Sequence, residues 1–118
     1  MEQRFKAAIV WLILEGKVEK ALEILAKKHS VEPPIVEVGL PKRNKGKALG
    51  CYSGKKRTIS VRNSDTLKDP FVILHEFYHH LRTTSDAKHK GTEKYADAFA
   101  KDYLAAYGSI VTHETGNN

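Results

Sequence analysis

The first part of the chain follows a helical pattern of apolar positions. The apolar side chains recur at spacings of three and four residues, as they do on one face of an α-helix: Phe5, Ile9, Leu12, Ile13, Val18, Ala21, Leu22, Ile24 and Leu25. Gly16 interrupts this pattern, and a glycine inside a helix costs about 1 kcal/mol relative to alanine. We therefore predict one bent helix or two short helices over residues 2–29, ending before Pro33 and Pro34.

After the prolines, apolar positions alternate with polar ones, which is typical of half-buried β-strands. Three runs of this kind are present, with apolar positions at Val36, Val38 and Leu40, at Leu49 and Cys51, and at Ile59 and Val61. Residues 53–56, Ser-Gly-Lys-Lys, predict a hairpin turn between the second and third strands, with Gly54 able to take a positive φ. The pattern therefore predicts a small three-stranded sheet.

Helical spacing returns in the second half of the chain. Asp69 can cap a helix that begins at Pro70. A last helix is predicted from its capping residue Thr92 to Gly108, where glycine favours a helix end. We therefore predict an α+β fold, in which the sheet packs on the N-terminal helix or helices and on two C-terminal helices, followed by a C-terminal tail over residues 109–118.

The composition is that of a folded chain, with 118 residues, 41% hydrophobic and 29% charged, which suits one domain over residues 1–118. The lone cysteine, Cys51, excludes an intrachain disulfide and suits a reducing compartment, so we expect a cytoplasmic protein. The longest uncharged apolar run, residues 7–14, is shorter than the ~20 residues that cross a bilayer, so no membrane partner is expected. Trp11 in this run suits either the core or a contact in a homo-oligomer.

Basic residues are concentrated between the first and third predicted strands. The net charge is +6, and residues 41–57 contain seven lysines and arginines. Such side chains are usually solvated at hairpin tips, and Tyr52 is the only aromatic residue of this stretch that could stack on a base. Nucleic-acid binding is therefore the less favoured interpretation.

Residues 75–79, His-Glu-Phe-Tyr-His, form an H-E-x-x-H motif on the first C-terminal helix. Histidines four residues apart share a helix face, so His75 and His79 can bind one metal ion. Glu76 borders that face, where its carboxylate can act as a general base on a metal-bound water. The alternative is a buried amphipathic helix whose histidines belong to a hydrogen-bonded structural cluster.

A catalytic zinc site needs a third protein ligand. The metzincin continuation of the motif is excluded, because Arg82 and Ser85 occupy its glycine and last histidine positions. On the last predicted helix, Glu93 and Asp97 lie four residues apart on a face whose other residues are small. We predict that Glu93 completes the metal shell and that Asp97 accepts the free ring N–H of one histidine.

The two motifs together resemble those of the gluzincin metallopeptidases, in which H-E-x-x-H is completed by a glutamate on a later helix, often as E-x-x-[AS]-D. Here the second motif is residues 93–97, Glu-Lys-Tyr-Ala-Asp. The order of elements is most similar to that of the archaeal minigluzincins, minimal scaffolds similar to the catalytic domains of CAAX-protease-type peptidases. Residues 96–100 also resemble the ImmA-type peptidases. Tyr78 departs from the pattern, because many members carry a small residue before the second histidine.

The resemblance implies a zinc metallopeptidase that cleaves internal peptide bonds. Zinc would be bound by His75, His79 and Glu93, while Glu76 takes the proton of a zinc-bound water as it attacks the peptide carbonyl. An extended peptide or protein substrate is expected at an edge strand, residues 48–53 or 57–62, where a basic rim favours acidic substrates. The oxyanion donor is left open among five candidates: His80, His89, Tyr95, Tyr103 and His113.

Two alternatives are left open by the sequence. In the first, the enzyme is latent because its C-terminal tail fills the cleft, with His113 or Glu114 at the open zinc position. In the second, the zinc is structural, with His89 as a fourth ligand. The protein is then a non-enzymatic module that binds nucleic acid or a protein partner.

Overall fold

The computed structural model describes residues 2–41, 48–85 and 92–116, which form four α-helices and a three-stranded sheet. In chain order the elements are α1 (Glu2–Leu14), α2 (Val18–Lys28), β1 (Ile35–Val38), β2 (Gly50–Ser53), β3 (Thr58–Val61), a 3-10 helix (Ser64–Lys68), α3 (Pro70–Ser85) and α4 (Thr92–Gly116). The predicted α+β class is confirmed, with two helices before the sheet and two after it. Within the described ranges, no helix is long and apolar enough to span a bilayer.

Gly16 divides the N-terminal helical region into two helices. It has a φ of +84°. The Gly16 amide donates to the Ile13 carbonyl at 3.0 Å, and the Lys17 amide donates to the Leu12 carbonyl at 2.8 Å. This pair of bonds is a Schellman motif, in which a left-handed glycine closes the C terminus of a helix. Of the two predicted arrangements, the structure has the two short helices.

A serine closes α2 in the same way. Ser30 has a φ of +58°, and the amides of Ser30 and Val31 donate to the carbonyls of Lys27 and Ala26 at 3.2 and 3.0 Å. The helix therefore stops at Lys28, before the prolines are reached. A side chain in the left-handed conformation costs roughly 1 kcal/mol, which glycine would avoid.

The sheet has the order β1-β3-β2. β1 runs parallel to β3, and β2 forms the predicted antiparallel hairpin with β3. In the turn between them Arg57, the last residue before β3, has the positive φ of 52°, whereas Gly54, which is able to take this conformation, does not. Because β3 is paired on both sides, the predicted substrate edge at residues 57–62 is wrong. The edges are β1 and β2.

One face of the sheet packs on the helices. Ile59 and Val61 of β3 are fully buried on this face, in a core that all four helices share. Gly50 of β2 lies so close to α3 that a Cβ atom there would be 2.7 Å from Cγ1 of Val72. Alternation along the strands directs the neighbouring side chains of β2 and β3 to the opposite face.

α3 begins as its sequence predicts. Pro70 is its first residue, and Asp69 Oδ1 accepts hydrogen bonds from the amides of Phe71 and Val72 at 3.0 and 3.3 Å. The carboxylate thus satisfies two of the free N–H groups at the helix N terminus. This cap sets where the helix starts and hence the direction of every side chain along it.

α4 packs closely against α3. Ala96 and Ala100 of α4 are completely buried, as expected for small residues at a close helix contact. Tyr78 of α3 lies against Phe99 of α4, with ring centroids 5.5 Å apart. The large residue before the second histidine is therefore accommodated at the helix interface.

α4 continues through Gly108 to Gly116, so the prediction that Gly108 ends the helix is wrong. The preceding turns bury Tyr103 and Ala106, and α4 packs along α1. This packing outweighs the cost of one interior glycine, about 1 kcal/mol. Residues 109–116 are the last turns of this helix rather than a separate tail.

Candidate metal centre

His75 and His79 lie one turn apart on α3 and face the same point. Their ring centroids are 4.9 Å apart, and their Nε2 atoms are 3.3 Å apart. Only 13% and 17% of the two side chains are exposed. The neighbouring packing therefore holds both rings with their Nε2 atoms converging.

α4 brings Glu93 to the same point. Its Oε1 atom is 3.0 Å from Nε2 of His75, and its Oε2 atom is 2.9 Å from Nε2 of His79. In a tetrahedral zinc site with bonds of ~2.0–2.1 Å, neighbouring ligand atoms are roughly 3.3 Å apart. The three residues form a group that could hold a metal ion. Two imidazoles and a carboxylate suit several divalent transition metals.

Asp97 orients the first histidine. Its Oδ1 atom is 2.8 Å from Nδ1 of His75. A carboxylate only accepts hydrogen bonds, so Nδ1 carries the hydrogen and donates it to Asp97. With the hydrogen on Nδ1, the Nε2 atom of the same ring would supply its lone pair to a metal ion held together with His79 and Glu93. Metal binding through Nε2 requires this tautomer.

Glu76 lies beside the converging ligands on α3 and is only 7% exposed. Burial raises the pKa of Glu76 to about 7; the charge of His75 opposes this rise and that of Glu93 adds to it. A cation bound by the three ligands would favour the ionised carboxylate again. The arrangement therefore places a proton acceptor beside the candidate metal site.

Comparisons with protein-family models, curated proteins and solved structures were made for the whole chain. None of them gives a match. Support for a metal centre therefore comes from the geometry of the residues in the two sequence motifs, at 75–79 and 93–97.

The ligands and Glu76 open onto a cleft of about 350 Å³. Its far wall is β2 and the start of the following turn, and Thr83 from the end of α3 also lines it. Among the described residues, no strand pairs with the outer edge of β2. The predicted edge at residues 48–53 thus borders the cleft.

The free edge of β2 presents the backbone of Gly50 and Tyr52. The Leu49 carbonyl accepts a hydrogen bond from the Arg62 amide at 2.9 Å. Leu49 and Arg62 are therefore a hydrogen-bonded pair of the ladder between β2 and β3. In an antiparallel ladder such pairs alternate along the strand. Gly50 and Tyr52 therefore direct their N–H and C=O groups outward, where an extended peptide could bind them.

Gly50 allows this edge to approach the base. A Cβ atom at Gly50 would be 3.5 Å from Cγ of Glu76, as well as 2.7 Å from Cγ1 of Val72. Any side chain here would push β2 away from α3. Sequence reasoning missed this residue, although strand alternation places it on the same face of β2 as Tyr52.

His80 lies on the other side of α3 and is fully buried. Its Nε2 atom donates to the Glu32 carbonyl at 2.7 Å, so Nδ1 is the acceptor and receives the Tyr52 hydroxyl hydrogen at 2.7 Å. This chain of hydrogen bonds ties β2 to α3 and to the segment before β1. Tyr52 lines the cleft and was also missed as a site residue.

None of the three described candidates for an oxyanion donor lines the cleft. His80 is committed to Tyr52 and Glu32. Tyr103 lies in the core, where burial raises its pKa to about 12, and Tyr95 is exposed on α4. The other two candidates, His89 and the side chain of His113, lie outside the described part of the structure.

The last described turns of α4 are far from the candidate ligands. Residue 113 lies twenty positions after Glu93 on the continuous helix α4, which separates them by roughly 30 Å. Within the described residues, the backbone of α4 at position 113 therefore does not reach the cleft. For the second alternative, His89 and residues 42–47 of the basic stretch 41–57 lie outside the described residues.

Proposed function

We propose that the protein is a zinc-dependent endopeptidase of the gluzincin type. The main support is the convergence of donor atoms from three residues beside the buried carboxyl of Glu76. The Nε2 atoms of His75 and His79 are 3.3 Å apart, and the two carboxylate oxygens of Glu93 lie 3.0 and 2.9 Å from them. His75, His79 and Glu93 bind the zinc in this proposal.

The residues divide the chemistry between them. Zinc, when bound, lowers the pKa of a coordinated water toward ~7 and polarises a substrate carbonyl. The Glu76 carboxylate accepts the proton of the attacking water and passes it to the leaving amine. Asp97 holds the hydrogen on Nδ1 of His75 and thereby keeps its Nε2 atom available.

The substrate binds as an extended peptide along β2. Gly50 and Tyr52 supply outward N–H and C=O groups, so the peptide adds as a further strand to the sheet. The edge lies across the cleft from His75 and His79. A peptide bond held on this edge therefore lies beside both the ligands and the Glu76 carboxylate.

An open ligand position favours catalysis over a structural role. Structural zinc sites usually have four protein ligands, most often including cysteine. In the part of the chain that the structure describes, the candidate group contains two histidines and one glutamate, and Cys51 is not part of it. As far as the described residues go, a fourth position is thus left for water and substrate.

The test uses the full chain loaded with zinc. Wild-type protein is incubated with a mixture of peptides, and new termini are identified by mass spectrometry. We expect cleavage that falls at least about 100-fold in Glu76→Gln, with about one zinc retained per chain. Glu23→Gln, at an exposed position on α2, is the matched control and should cleave like wild type.

Two results would contradict the proposal. Zinc-loaded wild-type protein that cleaves no peptide of a diverse mixture would favour the non-enzymatic alternative. Cleavage of equal rate in Glu76→Gln would show that another group takes the proton.

A further inference from the structure

A second cavity lies on the opposite face of the sheet from α3. Its volume is about 520 Å³. Its floor includes the side chains of Thr58 and Ser60 on β3, each only 5% exposed. Lys55 and Lys56 of the hairpin turn and Glu37 of β1 also line it. Hydroxyl and charged groups therefore form part of its lining, with more positive than negative charge among the described residues, while the larger part of the exposed lining is apolar.

β2 separates this cavity from the metal cleft, and Cys51 and Tyr52 border both spaces. Gly50 and Tyr52 face α3, because a Cβ at Gly50 would approach Glu76 and the Tyr52 hydroxyl reaches α3. By strand alternation, Cys51 and Ser53 face the cavity. The edge that borders the metal cleft is thus also the rim of the cavity.

A peptide paired on β2 continues the alternation of the sheet. Its residues beside Gly50 and Tyr52 direct their side chains to the face of the metal cleft, and those beside Cys51 and Ser53 to the cavity. We propose that the cavity is a substrate subsite that takes an aspartate or glutamate side chain of the bound peptide. This inference rests on the proposed function, because it requires the peptide to bind along β2.

The positions of the charges favour a carboxylate. The Lys56 amide donates to Ser53 Oγ at 3.2 Å, and the Thr58 hydroxyl donates to the Lys56 carbonyl at 2.8 Å, so the turn is held against the strands. The Lys56 backbone is therefore fixed beside the end of β2, and both lysines line the cavity. Glu37 of β1, the register partner of Ser60, lines the same cavity. It offsets one of the two lysine charges, so the described lining keeps a net positive charge.

The experiment compares peptide pairs that differ only by glutamate or glutamine at one position. Cleavage-site mapping with the zinc-loaded full chain should show acidic residues enriched at one position, or at two positions two residues apart. For synthetic pairs, kcat/KM should be about two- to fivefold higher with glutamate. The preference should shrink when salt is raised from about 50 mM to about 500 mM.

Charge reversal provides the decisive variant. Lys55→Glu combined with Lys56→Glu should reverse the preference, so that lysine is favoured over glutamine at the same position. Lys20→Glu combined with Lys27→Glu, at exposed positions on α2, is the matched control and should keep the acidic preference. Calorimetric binding of the same peptides to zinc-loaded Glu76→Gln should show the preference without turnover.

The outcomes separate this inference from the proposed function. Cleavage with no acidic preference, or with a preference that charge reversal leaves unchanged, overturns the subsite alone. Absence of cleavage with every peptide overturns the proposed function and the subsite with it. If Lys55→Glu combined with Lys56→Glu does not fold, Lys55→Gln replaces it as the test. This variant should lose at least half of the preference for glutamate over glutamine, and an unchanged preference overturns the subsite.

Discussion

Nδ1 of His75 donates its hydrogen to Oδ1 of Asp97 across the interface of α3 and α4, at 2.8 Å. The bond joins a residue of the first motif to one of the second. It selects the tautomer whose Nε2 atom faces His79 and Glu93. Asp97 therefore acts on the candidate metal site through the orientation of a ligand.

Replacing Asp97 should weaken metal binding without removing a ligand. We expect Asp97→Ala to lower zinc affinity about 10- to 100-fold, measured by competition with a chelator of known affinity. Asp102→Asn is the matched control, since it removes a carboxylate charge from the same helix at a residue that pairs with Lys6. Equal affinity in Asp97→Ala and wild type would show that His75 needs no such partner.

Removing Glu93 should abolish stabilisation by metal. A ligand at 100 times its dissociation constant stabilises a protein by about 2.7 kcal/mol, which for a chain of this size raises Tm by on the order of 10 °C. We expect this rise in wild type on addition of zinc and its near absence in Glu93→Ala. Zinc content should fall in parallel from about one per chain. Full zinc retention in the variant would mean that another residue is the third ligand.

A side chain at position 50 should disturb both packing and activity. In Gly50→Ala the new Cβ would be 2.7 Å from Cγ1 of Val72, and overpacking of this kind typically costs about 1–3 kcal/mol. We expect that loss in denaturant unfolding and a lower kcat/KM, because β2 moves away from Glu76. Val72→Ala removes the clashing atom, so adding Gly50→Ala to that variant should cost less. Additive effects would contradict a direct clash.

The local parts of the fold and site could be predicted from the sequence. The helix that carries His75 and His79 follows from its cap and its apolar spacing, since both depend on neighbours within four residues. Glu93 and Asp97 were found because the same spacing recurs on α4. Each half of the candidate site is local, and close packing of α3 and α4 brings the halves together.

The features that depend on distant contacts could not be predicted. The position of β3 between β1 and β2 is decided by strand pairing, and no local pattern indicates it. α4 continues through Gly108 because burial of Tyr103 and Ala106 outweighs a local helix-ending signal. The cavity beside Lys55 likewise exists only once the three strands are assembled.

The left-handed residue after α2 offers a stabilising substitution. Ser30 has a φ of +58°, which glycine adopts without the steric cost of a Cβ atom. We expect Ser30→Gly to raise the free energy of unfolding by about 0.5–1 kcal/mol. Gly16→Ala, at the corresponding position after α1, should lower it by about 1 kcal/mol. Urea denaturation measures both, and a loss of stability in Ser30→Gly would contradict the prediction.

His29 should make the metal-free protein less stable in acid. Its ring lies against Phe77 and Phe99, and its buried Nε2 atom has no hydrogen-bond partner among the described residues. Burial lowers the pKa of His29, the charge of Lys28 lowers it further, and that of Glu2 opposes the shift. The unfolded chain therefore binds more protons than the folded one below about pH 6.5, and stability falls as the pH drops through that range.

His29→Leu isolates this contribution. The leucine removes a buried polar atom that has no partner, so we expect the variant to be about 1 kcal/mol more stable at about pH 7.5. The gain should be larger at about pH 5.5. At that pH the unfolded wild-type chain binds a proton at His29 more readily than the folded protein does, and the leucine variant has no such group. Urea denaturation with a chelator present measures the difference at each pH.

Two other histidines also contribute to the acid sensitivity. Burial lowers the pKa of His79 and His80, so acid still destabilises the variant, but its free energy of unfolding falls less steeply with pH. The same slope in both proteins would show that His29 is not a source of the acid sensitivity.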